Sequence, residues 1–217
     1  MLKALFCDLD GTILDTIGSI TYYLSETMTK YGYTPVTREE CNYFAGDGSR
    51  VLLRRALASK GVTDEALAEV MHNDYKHSYD KAPLYLTEVF AGMRETLETL
   101  KARGILLGVI SNKPHTATVP VVRHFFGDLF DVVLGASDAY PLKPDRAMAD
   151  YATRELGITP AECAYLGDTR TDILFGKAMG AYKNIGVSWG FRPVSELEEY
   201  GADMIISSPS ELLEVFL

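Results

Sequence analysis

The pattern of apolar and polar positions divides the chain into three parts. Residues 3–7 form a short apolar run, which is typical of a strand covered on both faces of a sheet. From about residue 15 to 82 the pattern is helical, with apolar residues three and four positions apart and no strand candidate. From residue 83 onward apolar runs alternate with amphipathic segments, which predicts strands and helices in turn.

This alternation predicts a parallel sheet with helices on both faces, an α/β, Rossmann-like core. Strands are predicted at 104–111, 130–136, 162–168, 183–190 and 202–208, and helices near 92–102, 115–125, 145–156 and 170–179. Pro120 lies inside the second of these helices and predicts a kink or an early break there.

The helical segment interrupts the core directly after its first strand. Thr37-Arg-Glu-Glu40 has the form of a capping box that begins a helix, and Thr63 is placed to cap a later one. The predicted domains are an α/β core, residues 1–14 and 83–217, and a small all-helical inserted domain, residues 15–82. The short junctions between them suit a lid that rocks over a cleft.

Composition and charge narrow the range of functions. The chain has 217 residues, and 21 Lys and Arg against 30 Asp and Glu give a net charge of −9. An acidic protein is poorly suited to binding nucleic acid or an anionic membrane surface. The early acidic pair argues against a signal peptide, and the longest apolar run is too short to cross a bilayer. We therefore expect a cytoplasmic protein, either a monomer or a homodimer.

Cysteine usage excludes two further classes of protein. The three cysteines are scattered, and no C-x-x-C occurs, so neither a disulfide framework nor a structural zinc site is expected. They are Cys7, Cys41 and Cys163.

Four polar motifs lie at the ends of predicted strands or in the loops that follow those strands. In open parallel sheets, ligands bind beyond the carboxyl ends of the strands, so these motifs are expected to meet at one edge. The motifs are Asp8-Leu9-Asp10-Gly11-Thr12, Ser111-Asn112-Lys113, the loop YPLKPD with Lys143, and GDTRTD with Asp168 and Asp172.

The chemistry of these motifs favours phosphoryl transfer. Several carboxylates close together repel, so a cation or a proton must hold them, and oxygen donors without His or Cys favour Mg²⁺. A carboxylate can also act as a nucleophile and form an aspartyl-phosphate. Lys143, the Ser111 hydroxyl and backbone N–H groups near Gly11 could surround the phosphoryl oxygens.

Together the four motifs resemble those of the haloacid dehalogenase-like phosphohydrolases, and the match spans nearly the whole chain. The stretch GVSWGF, residues 186–191, is similar to one in phosphoglycolate-phosphatase-like members, and the helical insertion resembles their small cap domain. The resemblance implies a Mg²⁺-dependent phosphatase that acts on a small phosphorylated metabolite through an aspartyl-phosphate. The first candidate for the substrate is 2-phosphoglycolate.

The resemblance also implies a role for each motif residue. Asp8 would be the nucleophile, and Asp10 would protonate the leaving oxygen and then help to activate water. The implied metal group is Asp8, the Asp10 backbone carbonyl and Asp168, with Asp172 acting through water or by orienting Lys143. The implied phosphate-binding residues are Gly11, Thr12, Ser111, Asn112 and Lys143.

One loop of the predicted cap is a candidate for substrate selection. In FAGDGSR, residues 44–50, Gly46 and Gly48 precede a helix and Arg50 lies in its first turn. Backbone amides at a helix start and an arginine suit a carboxylate or a second phosphate. The alternative is a tight turn with a surface arginine. Arg54 and Arg55 are expected on a solvated helix face.

Three alternatives remain open. They are a β-phosphoglucomutase-like phosphomutase, an inorganic pyrophosphatase on the same fold, and a non-catalytic binding or regulatory protein, which the presence of Asp8 disfavours. Two local features are also undecided. His115 either lines the cleft or packs locally. Gly176 either costs its helix about 1 kcal/mol or allows a close packing contact.

Overall fold

The computed structural model describes residues 2–217, and these fold as two compact units. One unit contains the chain up to Asp15 together with Val89–Leu217, and the other is Thr16–Glu88. Within residues 2–217, no helix combines the length and the apolar character that a membrane span needs.

The larger unit is built on a six-stranded sheet in which every pair of neighbours is parallel. The strands of the chain are β1 Ala4–Cys7, β2 Leu14–Asp15, β3 Glu88–Val89, β4 Leu106–Pro114, β5 Val132–Ala136, β6 Cys163–Gly167, β7 Lys183–Val187 and β8 Met204–Ile206. The sheet order is β5-β4-β1-β6-β7-β8, and the short strands β2 and β3 pair with each other in a separate two-stranded sheet. The predicted α/β fold with a parallel sheet is therefore confirmed.

Helices connect the strands along the chain. They are α1 Ile17–Lys30, α2 Arg38–Phe44, α3 Ser49–Ser59, α4 Glu65–Lys81, α5 Met93–Ala102, α6 His115–Phe126, α7 Ala147–Glu155, α8 Arg170–Met179, α9 Val194–Glu199 and α10 Leu212–Val215, with 3₁₀ turns at Pro160–Glu162 and Pro209–Glu211. Helix α6 continues through Pro120 for six more residues, so of the kink or early break that the sequence predicted there, the early break does not occur. Pro120 lies in the second turn, where the missing N–H removes one intrahelical hydrogen bond without ending the helix.

Strand β1 is the centre of the sheet and fixes where the first motif lies. All four of its residues are fully buried, as expected for a strand covered on both faces. It pairs with β4 and β6, and Cys7 lies opposite Val109 and Leu166. The residue after Cys7 therefore leaves the sheet beside the ends of two other strands.

The structure gives a packing reason for Gly176 within α8. A Cβ atom at this position would overlap the side-chain amide of Asn184, which lies on β7 and is itself buried. The glycine therefore permits a close approach of helix to sheet that alanine would prevent. Of the two explanations that the sequence left open, the structure supports the packing contact.

The smaller unit consists of the helices α1 to α4. The predicted capping box is present, since the Thr37 hydroxyl accepts the Glu40 N–H and the Glu40 carboxylate accepts the Thr37 N–H. The cap predicted at Thr63 was wrong by one residue. Asp64 caps α4, and its carboxylate accepts the Leu67 N–H at 2.9 Å. Asp and Thr are both suitable N-caps, so their adjacency made the sequence signal ambiguous.

Candidate active site

The first motif places its nucleophile candidate at the centre of the sheet edge. The Asp8 N–H donates to the Leu166 carbonyl at 2.9 Å, which continues the β1–β6 ladder by one residue. Asp8 is buried as a result, with 7% of its surface exposed. A carboxylate in this position needs partners, because an unpaired buried charge is strongly destabilising.

Lys143 supplies the positive charge next to Asp8. Its ammonium group donates to Asp8 at 2.8 Å, to Asp172 at 2.7 Å and to the Tyr165 hydroxyl at 3.0 Å. An ammonium group has three N–H donors, so these three contacts engage all of them. The backbone N–H of Lys143 donates to Asn112 Oδ1 at 2.7 Å, which ties the lysine loop to the end of β4.

Asp172 connects this lysine to the start of α8. One carboxylate oxygen accepts from Lys143, and the other accepts the Thr169 N–H at 3.0 Å and the Thr169 hydroxyl at 2.7 Å. The bond from the Thr169 N–H is part of the capping box of α8. Both oxygens of Asp172 therefore have protein donors, which favours a role in orienting Lys143.

Asp168 lies between two glycines that leave no room for side chains. Its carboxylate accepts the Thr12 hydroxyl at 3.0 Å and the Phe191 N–H at 2.7 Å. A Cβ atom on Gly11 or on Gly190 would overlap this side chain. Gly11 also has a φ of +86°, a conformation that glycine adopts at little cost. The orientation of Asp168 is thus fixed by hydrogen bonds and by close backbone contact.

Asp10 has its own lysine, separate from the one that contacts Asp8. The Lys113 ammonium lies 3.0 and 3.2 Å from the two oxygens of Asp10. The Lys113 N–H donates to the Ser111 hydroxyl oxygen at 3.3 Å. The two aspartates of DLDGT are therefore paired with two different cations, although they are only two residues apart.

The arrangement of carboxylates fits a hard divalent cation. One oxygen from each of Asp8, Asp168 and Asp172 can be chosen so that the three lie within 4.8 Å of one another. All donors in this group are carboxylate oxygens, which suit Mg²⁺ better than a metal that prefers nitrogen or sulfur ligands. Asp10 is not in this group; its carboxylate pairs with Lys113.

Burial and mutual repulsion shift the ionisation of these groups. Burial raises the pKa of Asp8 to about 6, Lys143 opposes the rise, and the Asp172 and Asp10 carboxylates add to it. Burial also raises the pKa of Asp168 well above its usual value, reinforced by Asp172 and Asp8. Burial alone would lower the pKa of Lys143, but Asp172 and Asp8 raise it well above the usual range. The cluster therefore favours binding of a proton or a further cation.

The structure brings the phosphate-binding candidates to the same sheet edge, although several are engaged in holding other groups. The Thr12 hydroxyl donates to Asp168, the Ser111 hydroxyl accepts the Lys113 N–H, and Asn112 Oδ1 accepts the Lys143 N–H. All three residues are buried. Each of these three side chains therefore has a protein partner within the site.

Sequence reasoning missed two participants in this site. Tyr165 lies in the fully buried strand β6, where its phenyl ring is indistinguishable by pattern from a core residue. Its hydroxyl nonetheless contacts Lys143, Asp172 and the Ile110 carbonyl. Lys113 was part of a motif but received no role. The only available signal was that Lys113 stands in one motif and Tyr165 stands two residues before another.

The candidate selection loop lies entirely in the smaller unit. Gly46 and Gly48 have φ values of +105° and +89°, and Gly48 is the N-cap of α3. Arg50 pairs with Glu69 on α4, which supports the interpretation as a surface ion pair. Arg55 differs from its expected solvated position, since it pairs with Asp47 and donates to the Phe44 carbonyl at 3.0 Å. Arg55 thereby contacts the beginning and the middle of the loop.

His115 lies at the first position of α6 and makes a local contact. Its Nδ1 accepts the Gly135 N–H at 3.2 Å, which links the start of α6 to β5. This contact supports the packing interpretation of the histidine.

The sheet, the motif geometry and a family model agree on the class of protein. The model described as haloacid dehalogenase-like hydrolase matches residues 5–185. The chain therefore belongs to the haloacid dehalogenase-like hydrolases, and the predicted family and enzyme class are confirmed.

Three individual proteins show which members of this family the chain resembles. The chain is 31% identical to phosphoglycolate phosphatase 1 of Pseudomonas aeruginosa, over 95% of this chain and 76% of that protein. A crystal structure from Lactobacillus delbrueckii subsp. bulgaricus, assigned as a phosphoglycolate phosphatase, superposes with a TM-score of 0.94 at 29% identity, covering 99% of this chain and 98% of that one. A β-phosphoglucomutase from Clostridium difficile shares the fold, with a TM-score of 0.79 and 19% identity over 100% of this chain and 96% of that one.

Proposed function

We propose that this protein is a Mg²⁺-dependent phosphatase that hydrolyses a small phosphate ester through an aspartyl-phosphate on Asp8. The observation that carries this proposal is the contact of Lys143 with both Asp8 and Asp172, beside a third carboxylate, Asp168. A buried carboxylate beside a buried ammonium and a group of metal-ligand oxygens has the parts that phosphoryl transfer needs.

In the first step an Asp8 carboxylate oxygen attacks phosphorus. A bond forms between that oxygen and phosphorus, and the bond from phosphorus to the ester oxygen breaks. Lys143 neutralises charge on the phosphoryl oxygens, and protonated Asp10 gives its proton to the departing ester oxygen. The products of this step are a free alcohol and a phosphorylated Asp8.

In the second step water cleaves the aspartyl-phosphate. Asp10, now deprotonated, takes a proton from the water as its oxygen bonds to phosphorus, and the bond to Asp8 breaks. Inorganic phosphate leaves and both aspartates return to their starting states.

Mg²⁺ would be held by oxygens of Asp8 and Asp168 with the Asp10 backbone carbonyl, and it supplies charge stabilisation to the phosphoryl oxygens when bound. Asp172 would orient the Lys143 ammonium group rather than bind the ion directly. Its two oxygens already accept from Lys143 and Thr169, which supports this assignment.

For the substrate we propose 2-phosphoglycolate, because the P. aeruginosa relative carries that activity in its name. The test is a panel of phosphate esters and anhydrides, including 2-phosphoglycolate, sugar phosphates, nucleoside monophosphates and pyrophosphate, assayed for released phosphate with Mg²⁺ and with EDTA. We expect Mg²⁺-dependent release with the highest kcat/KM on 2-phosphoglycolate.

Other results of the panel would redirect the assignment. A preference for pyrophosphate would indicate a pyrophosphatase. Isomerisation of a sugar phosphate in preference to release of phosphate would indicate a phosphomutase. Turnover of none of these compounds would contradict the proposed function and revive a non-catalytic role.

We also expect Mg²⁺ to stabilise the protein more at neutral than at acidic pH. Because burial raises the pKa of Asp8 to about 6, the folded protein binds this proton more tightly than the unfolded chain, whose carboxyl pKa is about 4. The stability that this proton gives to the metal-free protein is lost as the pH rises from about 4 through about 6. Mg²⁺ competes for the same carboxylates, so its binding strengthens over this window.

The measurement is the midpoint of thermal unfolding with about 5 mM MgCl₂ and with NaCl of equal ionic strength. We expect MgCl₂ to raise the midpoint by a few °C, roughly 2–4 °C for each kcal/mol, at pH 7.5 and much less at pH 5.0. The variant Asp168→Asn should lose the increase at both pH values. An equal increase at both pH values in the unmodified protein would contradict the coupling.

A further inference from the structure

Lys113 is a buried cation that the proposed mechanism does not use. Its side chain is 6% exposed, and its ammonium group lies 3.0 and 3.2 Å from the two oxygens of Asp10, whose side chain is 18% exposed. A contact with both oxygens constrains the plane of the carboxyl group as well as its position. Lys113 thus controls the orientation of Asp10 in the free protein.

The backbone of Lys113 is itself fixed on both sides. Its N–H donates to the Ser111 hydroxyl oxygen at 3.3 Å, and its carbonyl accepts the Thr118 hydroxyl of α6 at 3.1 Å. Lys113 is the penultimate residue of β4, and α6 begins two residues later, so its side chain extends from a fixed end of a strand. A rigidly mounted lysine can hold a partner side chain more accurately than a lysine on a mobile loop.

The two lysines of the site contact different carboxylates. Lys143 contacts Asp8 and Asp172, whereas Lys113 contacts Asp10. Asp8 and Asp10 have different tasks in the proposed reaction, so separate cations allow each carboxylate to be held in its own orientation. A single shared lysine would draw the two carboxylates together.

We infer that Lys113 is a positioning residue that holds the Asp10 carboxyl group where it can transfer a proton to the leaving oxygen. The inference rests on the proposed function. In the step concerned, the bond from Asp8 to phosphorus forms, the ester P–O bond breaks, and the Asp10 proton moves to the ester oxygen to give a neutral alcohol. Lys113 takes no part in bond making; it sets the geometry of the proton donor.

This role makes the contribution of Lys113 depend on the leaving group. An alkyl ester leaves as a strongly basic alkoxide and needs the proton, whereas p-nitrophenolate is a weak base and leaves nearly as well without it. A lysine that only supported the fold or attracted the phosphate would affect both kinds of ester alike. The ratio of kcat/KM for an alkyl ester to kcat/KM for p-nitrophenyl phosphate therefore distinguishes positioning of Asp10 from a role in the fold or in phosphate attraction.

The test compares kcat/KM for 2-phosphoglycolate and for p-nitrophenyl phosphate in Lys113→Met and in the unmodified protein. The parameter kcat/KM reports the first step, in which the alcohol leaves. We expect the loss on 2-phosphoglycolate to exceed the loss on p-nitrophenyl phosphate by about 10-fold or more. Lys101→Met, which removes an ion pair with Asp131 outside the motifs, is the matched control and should leave the ratio unchanged.

A double variant shows whether Lys113 acts through Asp10. Asp10→Asn should produce the same selective loss on 2-phosphoglycolate, and Asp10→Asn/Lys113→Met should lose no more than Asp10→Asn alone. Additive losses would mean that Lys113 acts on the substrate independently of Asp10, for instance by contacting the carboxylate of 2-phosphoglycolate. That result would overturn the inference. Lys113→Arg, which keeps the cation, should recover part of the ratio.

The remaining outcomes also decide the question. Equal losses on both esters in a folded Lys113→Met variant would overturn the inference while leaving the proposed phosphatase function intact. If that variant does not fold, Lys113→Gln serves the same comparison, because it keeps an N–H donor without the charge. Failure of the unmodified protein to hydrolyse either ester would overturn the proposed function and this inference with it.

Discussion

Replacing Asp8 by asparagine should lower phosphate release by about 10⁴-fold or more, because the amide cannot attack phosphorus. The loss should appear in kcat for every ester that the unmodified protein hydrolyses, including p-nitrophenyl phosphate, whatever its leaving group. The measurement is steady-state release of phosphate with Mg²⁺, together with mass spectrometry of acid-quenched enzyme. A phosphorylated peptide containing residues 6–16 is expected from the unmodified protein and not from the variant.

The Asp8→Asn variant should remain folded. Asparagine has nearly the same shape as aspartate, and the change removes one negative charge from a cluster whose carboxylates repel one another. Lys143 would keep its contacts with Asp172 and Tyr165. Asp150→Asn, on the surface of α7 and paired with Arg146, is the matched control and should keep full activity. Near-normal turnover by a folded Asp8→Asn protein would refute the assignment of the nucleophile.

The sequence was sufficient for the architecture because periodicity reports burial directly. Runs such as 163–167 are buried at every position, and this pattern is what marks a strand covered on both faces. The first and last residues of strands and helices were harder to predict from the sequence. Strand β4 continues to Pro114 through an irregular register after Ser111, a feature that depends on pairing with β5 rather than on local sequence. Gly176 could be explained only when the structure placed Asn184 against it.

The sequence predicted which residues form the candidate site, but not which lysine pairs with which aspartate. Motif order put Asp8, Asp10, Lys143 and Asp168 at one sheet edge, since the carboxyl ends of parallel strands meet there. Which lysine pairs with which aspartate depends on side-chain directions at the ends of β1 and β4, and no periodicity encodes them. A buried tyrosine such as Tyr165 looks like core until its hydroxyl partners are known.

Replacing Lys143 by methionine should reduce both activity and stability, and the two losses have different causes. Methionine matches the length of the side chain but leaves Asp8 and Asp172 without their shared cation, with side chains only 9% and 1% exposed. Removing one partner of a buried ion pair costs about 3–5 kcal/mol of unfolding free energy. The loss of a cation at the phosphoryl group should lower kcat by about 10²–10³-fold. Urea unfolding and steady-state kinetics measure the two effects.

A double variant separates these two losses. In Asp172→Asn/Lys143→Met one of the two stranded carboxylates becomes neutral, and the oxygen of the amide that replaces it can still accept from the Thr169 N–H. We therefore expect the double variant to regain much of the unfolding free energy that Lys143→Met loses, without regaining activity. If activity returned with stability, Lys143 would be needed only to hold the fold. Persistent inactivity in the restabilised protein would instead show that the ammonium group acts on the phosphoryl group itself, because the folded scaffold alone would then be insufficient for turnover.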